Sequence, residues 1–250
     1  MSDTAADLHR CLDILAGWGI PIVPVPGWET RGKGAMTTRG HLEHHTAGGA
    51  GVAASLRVVT FGRAGPRNPP SRWEVDRAGV GYLTALNQSW HAGAGVKGTN
   101  ATLSGTEGEN NGLGEPWGAA TLETMARITA AEAIVFGYGA DKVWEHREHA
   151  PRRKIDRTGI NPDQWRARVA QIIEEGVDMT LKRGDRGNAV RKFQQALLAW
   201  NPNVLASGAD GAYGEQTFQA VASYQRAANL PPSGNIDGVT AALLTAYFPG

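Results

Sequence analysis

The apolar positions of this chain fall into two textures. Near the start, Leu8, Cys11, Leu12 and Leu15 recur at i, i+3, i+4 and i+7, the stripe of a helix with one buried face. Ser2, Asp3 or Thr4 stands where a cap belongs, and Gly19 with Pro21 ends the run. Ile20 to Gly34 is rich in Pro and Gly and reads as ordered loop or short extended pieces. Leu56-Arg57-Val58-Val59-Thr60-Phe61 has a strand's composition. Trp73–Arg77 and Val80–Leu86, joined by Ala78-Gly79, predict a hairpin. Leu122, Met125, Ala126, Thr129, Ala133 and Phe136 predict a long helix from about Pro116 to Phe136. Lys142-Val143-Trp144-Glu145 then reads as a short strand. Asn161-Pro162 starts a helix whose buried face is Trp165, Val169, Ile172 and Ile173. Strands mixed with helices predict an α/β domain, a mixed β-sheet flanked by helices, over residues 1–176.

After Gly176 the texture changes. No strand run follows, and two phrases resemble each other: Ala189-Val190-Arg191-Lys192-Phe193-Gln194-Gln195-Ala196-Leu197, and Ala220-Val221-Ala222-Ser223-Tyr224-Gln225-Arg226-Ala227-Ala228-Asn229-Leu230. Each sets an aromatic three residues after a Val, then Gln, then a downstream Leu, the mark of a duplicated helical unit. A last apolar helix, Val239 to Phe248, closes a small all-α three-helix domain over residues 180–250. The linker is expected near 175–180. Leu181, Val190, Phe193, Leu197, Val221 and Leu230 are its expected core.

Composition narrows the function classes. The 250 residues include 41% hydrophobic and 20% charged side chains, enough for two real cores. With 25 basic against 24 acidic side chains the net charge is +1, which gives no bulk attraction to nucleic acid. No stretch approaches the ~20 apolar residues of a membrane span. One cysteine, Cys11, excludes an internal disulfide framework and is expected as a buried thiol. Met1 to Asp7 has no basic region and no apolar run after it, so no secretory leader is predicted and synthesis for the cytoplasm is expected.

The chemistry lies in the grouping of the seven histidines. His44-His45-Thr46 ends a short extended segment before a Gly-rich turn. His146 and His149 flank a strand exit, followed by Lys154-Ile155-Asp156. A catalytic zinc site takes three protein ligands and leaves one position open. His44 or His45, with His146 and Asp156, could supply them; adjacent strand residues point to opposite faces, so the two neighbours cannot both serve one ion without a kink. A rival pair is His146 with His149 at i, i+3, and scattered surface histidines beside a solvated Arg152-Arg153-Lys154 run is the bland alternative. His-Glu-x-x-His, the common metalloprotease helix, is absent.

His44-His45-Thr46-Ala47, the hairpin around Arg77-Ala78-Gly79, Trp90-His91-Ala92-Gly93, Gly105-Thr106-Glu107-Gly108-Glu109-Asn110, and His146-Arg147-Glu148 with Lys154-x-Asp156 occur in that order. Over about residues 35–160 this resembles the type 2 family of N-acetylmuramoyl-L-alanine amidases, many of them bacteriophage endolysins. The resemblance implies zinc held by two histidines and an Asp or Cys, and hydrolysis of the amide joining muramic acid to L-Ala in peptidoglycan. By position it implies His44, His146 and Asp156 as ligands, Lys154 as the catalytic lysine and Glu107 as general base. Ser104-Gly105-Thr106-Glu107 departs from the family's usual Ile-Gly-Ile-Glu, and Glu109, two residues on, competes for the role. Where other members place a Tyr, this chain has Ser71-Arg72-Trp73. The run Arg39–Glu43 is less apolar than the family's strand, which leaves His44 against His45 open. His91 is expected as a substrate-side or supporting group, and Asn110 as a substrate contact.

Leu181–Leu244 resembles the type 1 peptidoglycan-binding domain, a metal-free three-helix wall anchor. Asp210, Tyr213 and Thr217 are its candidate contacts. The expected whole is a monomeric zinc amidase acting on a bacterial cell wall, with peptidoglycan as partner and neither nucleic acid nor membrane insertion. As an endolysin it would be made in the host cytoplasm and reach the wall through another protein's pore. A non-catalytic peptidoglycan-recognition protein and a zinc endopeptidase cutting the stem peptide are the alternatives.

Overall fold

The computed structural model describes residues 2–49, 52–62, 69–93, 98–178 and 181–247. The chain divides into two compact units, one of Met1–Leu15 with Ile20–Ile172, the other of Ala16–Gly19 with Ile173–Gly250. In chain order the first elements are α1 (Ala5–Gly17), β1 (Ile22–Pro24), β2 (Gly40–His45), α2 (Val52–Phe61), β3 (Trp73–Val75) and β4 (Gly81–Leu83). There follow α3 (Thr99–Thr102), β5 (Leu103–Gly108), α4 (Ala119–Phe136), β6 (Val143–Glu145), α5 (His146–His149) and α6 (Pro162–Asp178). Among the described residues, no helix is long and apolar enough to cross a membrane.

The six strands form one mixed sheet in the order β1-β4-β3-β5-β2-β6. The predicted hairpin is its antiparallel pair, with Trp73 opposite Leu83, and the remaining neighbours run parallel. Thr4 caps α1: its hydroxyl accepts the Asp7 N–H at 3.2 Å while the Asp7 carboxylate accepts the Thr4 N–H at 2.9 Å. Asn161 caps α6 by accepting the Asp163 and Gln164 N–H groups. One expectation fails. Residues 56–61, expected as a strand, are the end of helix α2. Ser55, Val59 and Thr60 are buried there while Arg57 and Phe61 are exposed, so burial follows a helical rather than a two-residue period.

Central strand β2 is buried although it reads Gly-His-Leu-Glu-His-His. Its polar side chains are satisfied one face at a time. His41 Nδ1 lies 2.8 Å from Glu132 of α4 and its Nε2 2.9 Å from the Thr106 hydroxyl. Glu132 also accepts from Arg72, Trp73 and Ser104. Glu43 accepts from the Thr129 hydroxyl and the Trp165 indole. His41, Glu43, Thr106 and Trp73 therefore share the face covered by α4 and α6, which leaves His44 and Glu107 on the other. Buried pairs of this kind add little net stability, but losing one partner costs about 3–5 kcal/mol.

The second unit holds α7 (Asn188–Trp200), α8 (Glu215–Ala227) and α9 (Gly238–Tyr247); Phe248, expected at the end of α9, lies outside the described residues, as do residues 179–180 of the expected linker. Val190, Phe193, Leu197, Val221 and Leu230 are buried in one core, with Leu181 partly buried against it. The Gln of each repeated phrase does the same work. Gln194 Nε2 donates to Asp210, the Ala212 carbonyl and Thr217, and its Oε1 accepts the Gly211 N–H. Gln225 Nε2 donates to Ser233, the Asn235 carbonyl and Thr240, and its Oε1 accepts the Gly234 N–H. Each helix thus clamps the turn leading into the next.

Candidate metal centre

Three segments converge on the open face of the sheet. The end of β2 presents His44, and the first residue of α5, directly after β6, presents His146. The turn at residues 156–159 presents Asp156. Their donor atoms lie within 4.8 Å of one another and all three residues are buried, the one such group among the described residues. His44 Nδ1 and His146 Nδ1 are 2.8 Å apart. Asp156 Oδ1 is 3.8 Å from His44 Nδ1, and Oδ2 is 3.5 Å from His146 Nδ1. The edges of a tetrahedron of nitrogen and oxygen ligands around zinc run about 3.3–3.5 Å. Two imidazole nitrogens and a carboxylate turned to one point at such spacings make a donor set that fits a divalent ion.

Local structure fixes each donor. Glu145 and Glu148 form a reciprocal capping box at the start of α5. The Asp156 turn is pinned by Arg157, which has a φ of 54°. The Arg157 guanidinium is fully buried, donates twice to Glu145 at 2.5 and 2.9 Å, and lies 3.9 Å over the Trp165 ring. Burial pushes His44 down to about 3 against the pull of Asp156, so its imidazole is neutral, the state that ligates metal. Burial opposes the charge on Asp156, but the hydrogen bonds of His146, His44 and His45 outweigh it and hold the carboxyl well below the usual range.

The register question has a geometric answer. His44, the first of the pair, joins the cluster; His45 approaches Asp156 from the side, with Nδ1 3.4 Å from Oδ1, and its Nε2 fills the space beside Gly112, where a Cβ would sit 2.3 Å away. His149 packs tilted on His146 at 6.3 Å between ring centroids and is outside the cluster.

Glu107 and Glu109 are separated as well. Glu107 pairs in register with His44 on the neighbouring strand. Burial and the nearby Asp156 raise it to about 8, opposed by the Lys154 ammonium, so Glu107 and Lys154 both lie within electrostatic reach of the centre. Glu109 is committed elsewhere, accepting the Arg77 N–H and pairing with its guanidinium at 3.3 Å. A cavity of about 220 Å³ is lined in part by His45, Asn110, Trp117 and by Ile155 and Arg157, the neighbours of Asp156 in the chain.

Of the expected substrate contacts, Tyr213 and Thr217 are placed differently, and His91 takes the supporting place that was its other expectation. His91 is 6% exposed; its Nδ1 lies 2.9 Å from His44 Nε2 and its Nε2 2.9 Å from the Leu103 carbonyl. Neither ring nitrogen faces outward. Asn110 is buried and spends its amide on the Glu115 carbonyl and the Gly112 N–H, holding its own loop. Tyr213 is a core residue whose hydroxyl donates to the Gly234 carbonyl. Thr217 is buried on Gln194. Tyr213 and Thr217 are corrected from surface contacts to internal groups, His91 stands as a supporting group, and Asn110, although buried, lines the cavity that His45 also lines. Asp210 remains exposed, although its Oδ1 accepts from Gln194 and the Ala212 N–H. Sequence reasoning missed Arg157 and Glu145, because one Arg in a basic run carries no mark of its buried partner.

Comparison with known proteins bears on both units. A family model described as N-acetylmuramoyl-L-alanine amidase matches residues 35–159, half of the chain, and one described as a peptidoglycan binding domain matches residues 186–244. A Bacillus licheniformis protein named "Probable N-acetylmuramoyl-L-alanine amidase" is 38% identical over 132 residues, 46% of this chain and 37% of that protein. The chain therefore matches little more than a third of that relative's length. Among solved structures, the endolysin amidase LysCS of Clostridium intestinale is 14% identical with a TM-score of 0.47, over 59% of this chain and 94% of that one. The amidase AmiD of E. coli is 18% identical with a TM-score of 0.44, over 87% and 92%.

Proposed function

Since this chain belongs to the N-acetylmuramoyl-L-alanine amidase family, we propose that it hydrolyses the amide between N-acetylmuramic acid and L-alanine in peptidoglycan, with zinc held by His44, His146 and Asp156. The observation that carries the reading is the convergence of those three side chains with Glu107 facing them from the adjacent strand. Bound zinc would supply Lewis acidity, polarising the scissile carbonyl and lowering the pKa of a water at the open position. Glu107 accepts the proton of the attacking water and returns it to the L-Ala nitrogen as the C–N bond breaks. A cation in the cluster favours the ionised Glu107 that this role needs. The Lys154 ammonium stabilises the charge that develops on the carbonyl oxygen.

The second unit is proposed as a wall anchor that raises the local concentration of substrate. This pairing suits an enzyme that attacks intact cell wall, and we extend the proposal to host lysis by a bacteriophage.

Mass spectrometry of purified sacculi digested with and without chelator tests the reading. Free L-Ala amino termini, lost with chelator and restored by zinc, are expected. Glu107→Gln is expected to retain zinc while turnover falls about 10²–10⁴-fold. Termini other than L-Ala would identify an endopeptidase instead, and binding without any release would identify a recognition protein.

A further inference from the structure

The segment His91-Ala92 engages the far side of both histidines in the cluster. His44 Nε2 lies 2.9 Å from His91 Nδ1, and His146 Nε2 lies 3.3 Å from the Ala92 carbonyl. A carbonyl only accepts, so with a metal on Nδ1 His146 carries its proton on Nε2; without a metal, one of the two Nδ1 atoms of His44 and His146, 2.8 Å apart, must carry a proton. His44 has an imidazole rather than a carbonyl as partner, and the direction of that hydrogen bond depends on what lies behind His91. Behind it is the Leu103 carbonyl, 2.9 Å from His91 Nε2. A neutral His91 has one ring proton, the Leu103 carbonyl claims it, and His91 Nδ1 is left as an acceptor. His44 must then donate from Nε2, which turns its Nδ1 lone pair toward His146 and Asp156.

Space for this relay is made by a residue on the strand behind it. A Cβ on Gly105 would sit 2.6 Å from His91 Nδ1 and 2.9 Å from its Cγ, closer than real Cβ contacts come. The glycine two residues before Glu107 is therefore the seat of the His91 ring.

We propose that His91 is a positioning residue: a relay from the Leu103 carbonyl through His91, seated on Gly105, fixes His44 as the Nε2–H tautomer and aims its Nδ1 into the centre. This rests on the reading of His44, His146 and Asp156 as metal ligands. Outer partners that orient a ligating imidazole typically contribute 10–100-fold in metal affinity.

Long-range 1H–15N correlation spectra of histidine-labelled full-length protein loaded with zinc read the tautomers directly. His91 is expected as Nε2–H, with Nδ1 accepting from His44. His91→Asn, whose side-chain oxygen takes the place of Nδ1, is expected to keep zinc affinity within a few fold of wild type. His91→Leu and Gly105→Ala are expected to weaken zinc about 10–100-fold in chelator competition. His91 found as Nδ1–H in the wild type, or unchanged zinc affinity in a folded His91→Leu, would overturn the proposal. The wild-type spectrum decides the matter even if both variants fail to fold. Wild-type protein that binds no zinc while His91 still reads as Nε2–H would instead overturn the metal reading and leave the His91 geometry standing.

Discussion

Glu74 shows how a single residue can hold stability hostage to pH. It sits in the middle of β3 opposite Glu107, fully buried, and both its carboxylate oxygens lack a hydrogen-bond partner. Burial, with Glu109 and Glu107 adding to it, raises the carboxyl to about 9 from an ordinary 4.5. The folded state therefore binds a proton that the unfolded state has released above pH 4.5. The stability this group contributes is complete below pH 4.5 and declines as pH rises toward 9. Glu74→Gln is expected to remove that decline and to stabilise the first unit near pH 7 by roughly 1–3 kcal/mol, checked by denaturant unfolding at pH 5, 7 and 8.5. An unchanged pH slope in the variant would mean that Glu74 is not the buried acid responsible.

At the scale of elements, the repeated Gln is the testable device. Gln194 and Gln225 are fully buried, and each shares its two amide N–H groups among three acceptors and accepts one backbone N–H from a turn. Gln194→Leu leaves the Gly211 N–H without its acceptor and removes the bond to Thr217, an expected loss of about 2–4 kcal/mol. Gln225→Leu should cost a similar amount through Gly234. Calorimetry of the full chain should show one transition moving down while the other stays in place. The duplicated phrase was legible because both copies repeat the same residue types at the same spacing; the purpose of the Gln was not, since its partners lie in the intervening turns. α1, α4, the hairpin and the start of α6 were legible from periodicity and caps. α2 was not, because Leu56–Phe61 is a short apolar, β-branched run that no period separates from a buried strand. Of the site, spacing offered His44 or His45 with His146 and Asp156, and the family resemblance pointed to His44. His91 stayed open between a substrate-side and a supporting role because a histidine in a loop carries no sign of whether it faces a ligand or another histidine. Arg72 and Arg157 were invisible for a related reason: Arg72 pairs with Asp3 and Glu132, 69 and 60 residues away.

For the whole molecule, the two family matches fall on different stretches of chain, and the proposal gives hydrolysis to one and wall binding to the other. Deleting residues 180–250 is expected to leave turnover of a small soluble muropeptide within a few fold and to lower turnover of insoluble sacculi by about 10-fold or more. Equal loss on both substrates would show that the second unit supports the hydrolase itself rather than its delivery. Strand β2 sets a limit of another kind. Odd-numbered positions His41 and Glu43 tie the scaffold together, and even-numbered His44 reaches the centre from the opposite side. Inserting or deleting one residue upstream would exchange these duties, turning a scaffold acid toward the centre and a ligand into the interior. This stretch can diverge by replacement within each parity class, but it has almost no freedom to change length.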